Sequence, residues 1–354
     1  MAVAAAGICL ALAGLAAAPA RAGASVAAPP ARAAAARPAA TSYSAPGALF
    51  DVAAASNSDA WAVGSTGSKI LMLHWNGRAW SRVTSPGVLT AAGLLKSIAV
   101  VNAKDAWAAG YTGTLPGQRT LLLHWNGKAW SRVTHPAPVA GTLNAVTATA
   151  SGGWAVGDVP TGHDLPPHSL ILRLSGATST RVPLVNAPTF TLTGVAITRT
   201  NAAWVIGATE QQFEFGRWNG HTWTWEPVLA RQDLYELNGI AAGPGGTAFT
   251  VGYEYPDGGR GTPVSLKLTG STWKKVSDPV TLEAVSFAPG GAAWAGGSQI
   301  LRWSGTAWKL VAAAGLKPGD AIGGFGFSAA NYGWAVGDTG TRTVILHWNG
   351  STWK

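Results

Sequence analysis

The chain has 354 residues and a formal net charge of +9, yet only 12% of its residues are charged. Its Lys and Arg are scattered, with no basic run and no aromatic RNA-binding signature, which argues against nucleic acid as a partner. The one cysteine, Cys9, lies in an N-terminal apolar run. Once that run is removed, disulfides, thiolate metal sites and cysteine nucleophiles are excluded together.

Residues 1–22 read as a secretory signal peptide: an apolar stretch ending in Ala20-Arg21-Ala22, a small-residue cleavage pattern. Ile8 before Cys9 does not suit a lipoprotein signal. Residues 23–40 are almost all Ala, Pro, Ser, Gly and Arg, a composition that cannot bury a core and reads as a disordered tether. The expected product is an extracellular protein, with its mild positive charge favouring loose association with an anionic envelope.

From residue 41 onward one motif recurs seven times and takes up seventeen of the eighteen tryptophans. Its first slot holds Trp61, Trp107, Trp154, Trp204, Phe249, Trp294 and Trp334, 40 to 50 residues apart. The second slot follows His in the phrase His-Trp-Asn-Gly: Trp75, Trp125, Leu174, Trp218, Leu268, Trp303 and Trp348. Five residues later comes the third: Trp80, Trp130, Ser179, Trp223, Trp273, Trp308 and Trp353. Only Trp225 stands outside. A repeat of this length built from short strands is the signature of a propeller blade.

Copy two shows the unit. Residues 95–101 read as an inner strand, 106–110 as a second, 120–125 as a third and 129–133 as an outer one, with Asn126-Gly127 as a two-residue hairpin. The predicted fold is all-β: a seven-bladed propeller over 41–354, four antiparallel strands per blade. The regular aromatic spacing argues for packing between blades. Residues 41–46 resemble the end of an outer strand and are expected to complete the edge of blade seven and close the ring.

The Ala-Trp-Ala-Val-Gly and Leu-His-Trp-Asn-Gly-x-x-Trp phrases resemble those of secreted actinobacterial β-propeller proteins, grouped with kelch-like and BNR-like repeats, over residues 47–354. That resemblance implies a fold and little chemistry. The sialidase-type Asp-box is matched only in its second half, at Gly350-Ser351-Thr352-Trp353 and two equivalents; its Asp is replaced by Trp348, Leu268 and Trp218. Galactose oxidase chemistry needs a Cys–Tyr cross-link that the mature chain lacks.

Propeller sites lie on loops held by a rigid scaffold. The turn between strands one and two and the Asn-Gly hairpin share one face; the variable loops gather on the other, around the channel mouth. That variable face is expected to carry Tyr111, Arg119, Tyr253, Tyr255 and Arg260, with Asp338 and Arg342 nearby. The second residue of each inner strand also varies: Phe50, Lys96, Asn144, Thr193, Asn238, Glu283 and Gly323. Of these, Lys96, Asn144, Asn238 and Glu283 would form a polar ring. His163, Asp164 and His168 in one loop, and Asp257-Gly258-Gly259 in another, are read as solvated, so no metal and no cofactor is expected. Glu210 and Glu214 read as exposed loop glutamates. The repeated His74, His124 and His347 read as structural. No nucleophile elbow, zinc-binding helix or phosphate loop occurs.

The leading expectation is a monomeric binding or interaction module for a glycan, envelope polymer or protein. The alternative is an extracellular glycoside hydrolase or polysaccharide lyase with carboxylates at the channel mouth, and the question of catalysis stays open. A pair of carboxylates within about 5–10 Å would favour hydrolysis. A purely structural envelope protein would have no cleft beyond the channel.

Overall fold

The computed structural model describes residues 43–354 apart from 115, 135, 137, 162–166, 185–188, 200–201, 209–212, 227–233, 256–258 and 277–279. The expected leader at 1–22, the segment 23–40 and Thr41 and Ser42 lie outside the described residues, as do His163, Asp164, Glu210 and Asp257.

Seven antiparallel sheets follow one another along the chain. Blade one is typical: Ala48–Ser56 at the axis, then Asp59–Thr66, Lys69–Trp75 and the short outer strand Trp80–Arg82. The described residues contain no α-helix, only short 3-10 turns at Gly87–Thr90 and Pro244–Gly246. Each second strand is buried on both faces, as Asp59–Thr66 shows with five consecutive buried residues. This explains why the Ala-Trp-Ala-Val-Gly phrase mixes small and very large apolar side chains: it is sandwiched within its own sheet and between two others.

The tryptophan grid is an interlock between blades. The first-slot ring of one blade enters the space between the second- and third-slot rings of the next. Trp61 lies 4.9 Å from Trp125 and 5.2 Å from Trp130, centroid to centroid. Trp154 meets Trp218 and Trp223, and Trp294 meets Trp348 and Trp353. Phe249 fills the same role against Trp303 and Trp308. Trp334 of blade seven then meets Trp75 and Trp80 of blade one, at 4.8 and 5.1 Å, so the series returns to its start. Edge-on and tilted pairs of this kind add about 0.5–1.5 kcal/mol each beyond the area they bury.

Second-slot indoles have a further task. Trp75 donates its ring N–H to the carbonyl of Asn57, and Trp125 and Trp348 do the same to Ala103 and Ala330. Each bond ties the far end of the third strand to the turn between strands one and two. The histidines before these tryptophans are structural too: His74 bonds Asp59 at 2.9 Å and His124 bonds Asp105 at 3.0 Å, each ring lying over the first-slot Trp.

One turn departs from expectation. The hairpins are four-residue loops, Asn126 to Ala129 in blade two, closed by the Trp125–Trp130 pair. The Asn126 side-chain oxygen accepts the N–H groups of Lys128 and Ala129 at 3.0 Å. It thereby takes over the turn's hydrogen bonding and lengthens the loop beyond a two-residue turn. Gly127 still sits at φ 87°, where a side chain would be strained.

Blade seven has three full strands, Ala321–Ala329, Tyr332–Asp338 and Thr343–Trp348. Two short pieces supply its edge. Trp353 pairs with Trp348, and Lys354 exchanges backbone bonds with His347. At the other end of the same strand, Pro46 bridges Arg342, Thr343 donates to the Ala45 carbonyl and Gly47 donates to that of Thr341. Ala91, Ala92 and Gly93 make the same contacts to blade one, at Ile70, Lys69 and Ser68. Residues 45–47 thus repeat, across the break in the chain, the strap that covalent connections make between other blades.

Candidate functional site at the channel mouth

Each inner strand carries a β-bulge near its start. The skipped residues are Phe50, Lys96, Asn144, Thr193, Asn238, Glu283 and Gly323, one per blade. A bulge leaves its extra residue out of the ladder and re-aims its side chain. The seven most variable inner-strand positions are therefore the seven that sheet pairing leaves free, all at the variable-loop end of the channel.

Part of this ring is knitted together. Lys96 donates to the Asn144 oxygen at 2.7 Å, across from blade two to blade three. Asn144 in turn donates to Asp158 at 3.1 Å and to the Leu192 carbonyl of blade four at 2.8 Å. Thr193 donates to the Leu237 carbonyl of blade five at 2.9 Å. Burial pulls the Lys96 ammonium below its ordinary pKa, with Asp158 opposing the shift. The side chains of Asn238 and Glu283 make no hydrogen bond to a described residue. Glu283 touches solvent, but the surrounding protein pushes its carboxyl above the usual range, and Asp338 on blade seven adds to the shift. Solvent contact and desolvation coexist because the group lines a channel, walled by protein on most sides.

Beneath the ring lies Asp51. Its carboxylate accepts N–H bonds from Val52 and Ile98 and the hydroxyl of Ser97, at 2.8 to 3.0 Å. The Ser97 oxygen accepts the N–H of Val146, so one side-chain pair joins blades one, two and three. Enclosure by protein raises Asp51 to about 6, with these three bonds opposing the shift. The other blades have Ser97, Ala145, Gly194, Gly239, Ala284 and Gly324 at this place. A Cβ at Gly324 would fall 2.7 Å from the Asp51 Cα, so small residues here let the inner strands approach.

Blade five carries the second group of expected residues. Its second strand, Ala248–Tyr255, continues three residues past Gly252; that of blade six, Ala293–Gly297, stops one residue past Gly296. Blade five therefore stands higher by two residues, about 7 Å. Phe249 and Val251 pack toward blade six, so strand alternation puts Tyr253 and Tyr255 on the same side, above the truncated blade. Their rings are 6.3 Å apart and 30° from parallel. The Tyr255 hydroxyl donates to Glu236 at 2.9 Å, which raises its pKa. On the opposite side of the sheet Tyr235 donates to Glu254 at 2.7 Å, and Lys275 pairs with the same carboxylate. Burial drives the Tyr235 phenol to about 12, so this tyrosine stays protonated and acts as a brace.

The remaining expected residues are placed less favourably. Arg119 donates to the Pro138 carbonyl at 2.7 Å and belongs to the strap between blades two and three. Tyr111 is half-buried at the end of its strand, and Arg260 is exposed in the loop above blade five. Sequence reasoning missed Asp51, Asp158, Tyr235 and Glu236. Asp51 alone had a signal: it is the one charge at a position otherwise held by small residues.

No protein-family model and no curated protein matches the sequence. Solved structures do resemble it. YCF48 bound to D1 peptide superposes with a TM-score of 0.57 at 14% identity, covering 87% of this chain and 94% of that one. The likeness is one of fold. An inactive virginiamycin B lyase from Staphylococcus aureus, with quinupristin, gives 0.58 at 12% identity over 85% of this chain and 94% of that one. The GH74 xyloglucanase from Xanthomonas campestris gives 0.60 at 14% identity over 88% of this chain and 55% of that one. A peptide-bound protein, a lyase and a glycanase share the architecture, so the architecture does not choose between binding and catalysis.

Proposed function

We propose that this propeller is an exported binding module that recognises a glycan or protein ligand through its variable-loop face. One observation carries the reading: a bulge in every blade frees the variable inner-strand residue at the channel mouth, while paired aromatics hold the scaffold rigid beneath it. The open part of the mouth, from Tyr253 and Tyr255 to Glu283, is the recognition surface. It combines aromatic faces with carboxylates that have no cation to neutralise them among the described residues. The similar YCF48 structure, bound to a peptide, supports a peptide or protein ligand.

Screening the expressed chain against glycans, purified cell-wall polymers and peptide libraries tests this. Binding that falls at least tenfold in Tyr253→Ala, Tyr255→Ala and Glu283→Ala is the expected result. Undiminished binding in all three variants would move recognition elsewhere.

A hydrolytic reading is favoured by one feature, the raised carboxyl of Glu283 with Asp338 beside it. A carboxyl whose proton is held more tightly than usual can serve as a general acid. Turnover of a bound polymer, lost in Glu283→Gln with binding retained, would establish that reading in place of the first.

A further inference from the structure

The residue before the second-slot position is basic in all seven blades: His74, His124, Arg173, Arg217, Lys267, Arg302 and His347. Each is the direct cross-strand partner of the first-slot aromatic, as Trp154 is of Arg173 and Trp294 of Arg302. In blades three to six the charge is permanent and lies over a ring. Arg173, Arg217 and Arg302 sit 5.5 to 5.6 Å from Trp154, Trp204 and Trp294. The Lys267 ammonium is 5.2 Å from Trp303 and 5.9 Å from Phe249. Stacking on an aromatic face fixes a guanidinium while leaving its in-plane N–H donors available. Arg173 and Arg302 are exposed, Arg217 and Lys267 half-buried. None of the four has a carboxylate within ion-pair distance among the described residues.

These four cations occupy the same place in four consecutive blades, one residue before the slot that leads into the hairpin. They therefore form an arc on the hairpin face, opposite the variable loops. The channel mouth, with Lys96, Asn144 and Glu283, lies at the other end of the inner strands. We propose that this arc is a second binding surface, which docks an anionic envelope polysaccharide along blades three to six.

The physical setting favours a flexible saccharide polyanion over other polyanions. Bases of single-stranded nucleic acid need free aromatic platforms, whereas Trp154, Trp204 and Trp294 beneath the arc are buried and Trp303 is partly so. Anionic bilayers are held best by cations together with apolar side chains that insert. Leu310 is the one exposed large hydrophobic side chain among the described residues, and it lies on the outer strand of blade six. Carboxylates or phosphates spaced along a flexible chain can follow a curved row of single cations.

The test is binding of the whole chain to immobilised polygalacturonate, with neutral dextran as control, over a range of salt. Expected is affinity for polygalacturonate alone, weakening with salt as counterion release requires. Replacing all four cations by Gln should lower affinity at least tenfold and flatten the salt dependence. The charge-preserving set Arg173→Lys, Arg217→Lys and Arg302→Lys should retain most of the binding, which separates charge loss from misfolding. Removing four exposed cations away from this face, Lys69, Arg82, Arg181 and Lys317, should leave binding within about twofold, since distant charges are screened. Equal loss in that control would reduce the effect to net charge and overturn the proposal. So would tighter binding to duplex DNA or phosphatidylglycerol vesicles at the same salt. Because the arc and the channel mouth are on opposite faces, either surface can fail without the other.

Discussion

The junction between blades one and two and the junction between blades two and three present the same incoming ring to different receptors. Trp61 is clasped by Trp125 and Trp130. Trp107 finds Leu174 in the second slot and Ser179 in the third, and packs among aliphatic side chains such as Leu143, Leu172 and Val133. Ser179, Leu172 and Val133 also line a cavity of about 20 Å³ with Pro136 and Pro138, room for little more than one water molecule. The aliphatic junction thus keeps a small void, lined in part by Pro136 and Pro138. The lesson is that the clasp is sufficient for blade packing but not required, because dense aliphatic packing can replace it.

Substitutions at the two junctions should separate these cases. The largest effect is expected from Trp130→Ala, which removes half a clasp and leaves Trp61 uncovered: a loss of about 3–5 kcal/mol in chemical denaturation. Leu174→Ala, the corresponding cut in the aliphatic junction, should cost less, about 2–3 kcal/mol. Equal losses would mean that the aromatic clasp adds nothing beyond area. Restoring the missing ring with Ser179→Trp should destabilise by about 1–3 kcal/mol, since the remaining space is far smaller than an indole. A gain in stability would show instead that the prolines yield readily.

Near the axis the same three blades share the Asp51–Ser97–Val146 link, and its effect depends on pH. The folded Asp51 carboxyl is raised from 3.8 to about 6, so the folded state binds its proton more tightly than the unfolded chain does. Its stabilising contribution is complete below the unfolded value and is lost as pH rises through about 6. Unfolding free energies of the wild type and Asp51→Asn, from chemical denaturation, should therefore diverge by on the order of 1–2 kcal/mol between pH 4 and 7, with the wild type losing ground at neutral pH. A constant difference would mean that Asp51 does not titrate there. The smallest expected change is Ser179→Thr, which keeps the hydroxyl and adds one methyl to the void, for a gain of about 0.5 kcal/mol.

The fold was legible because its determinants are periodic. Three aromatic slots recurring seven times identify the blade, and a substitution such as Leu174 or Ser179 stands out against the pattern without hiding it. The polar ring was legible for a related reason: Lys96, Asn144, Asn238 and Glu283 break a run of small residues at one repeat position, and the bulge explains why that position tolerates variation. What stayed hidden depends on contacts between distant copies. Nothing local to Lys96 announces its bond to Asn144, and Arg119 looks like a loop cation until the strap to Pro138 is seen. The turn after each second-slot residue was misjudged because Asn-Gly favours a two-residue hairpin by backbone preference, whereas the Asn side chain here bonds two residues further along. The hairpin-face cations were visible as residues, but their register over the tryptophans was not.

The clasps also have an optical consequence. Indoles held about 5 Å apart in fixed tilted pairs are excitonically coupled, as for Trp334 with Trp75 across the closing junction. The near-ultraviolet circular dichroism should then contain a contribution that belongs to junctions and not to single tryptophans. Mutating Trp334 alone would subtract the signal of the junction between blades seven and one, providing a spectroscopic marker of when the circle shuts during refolding.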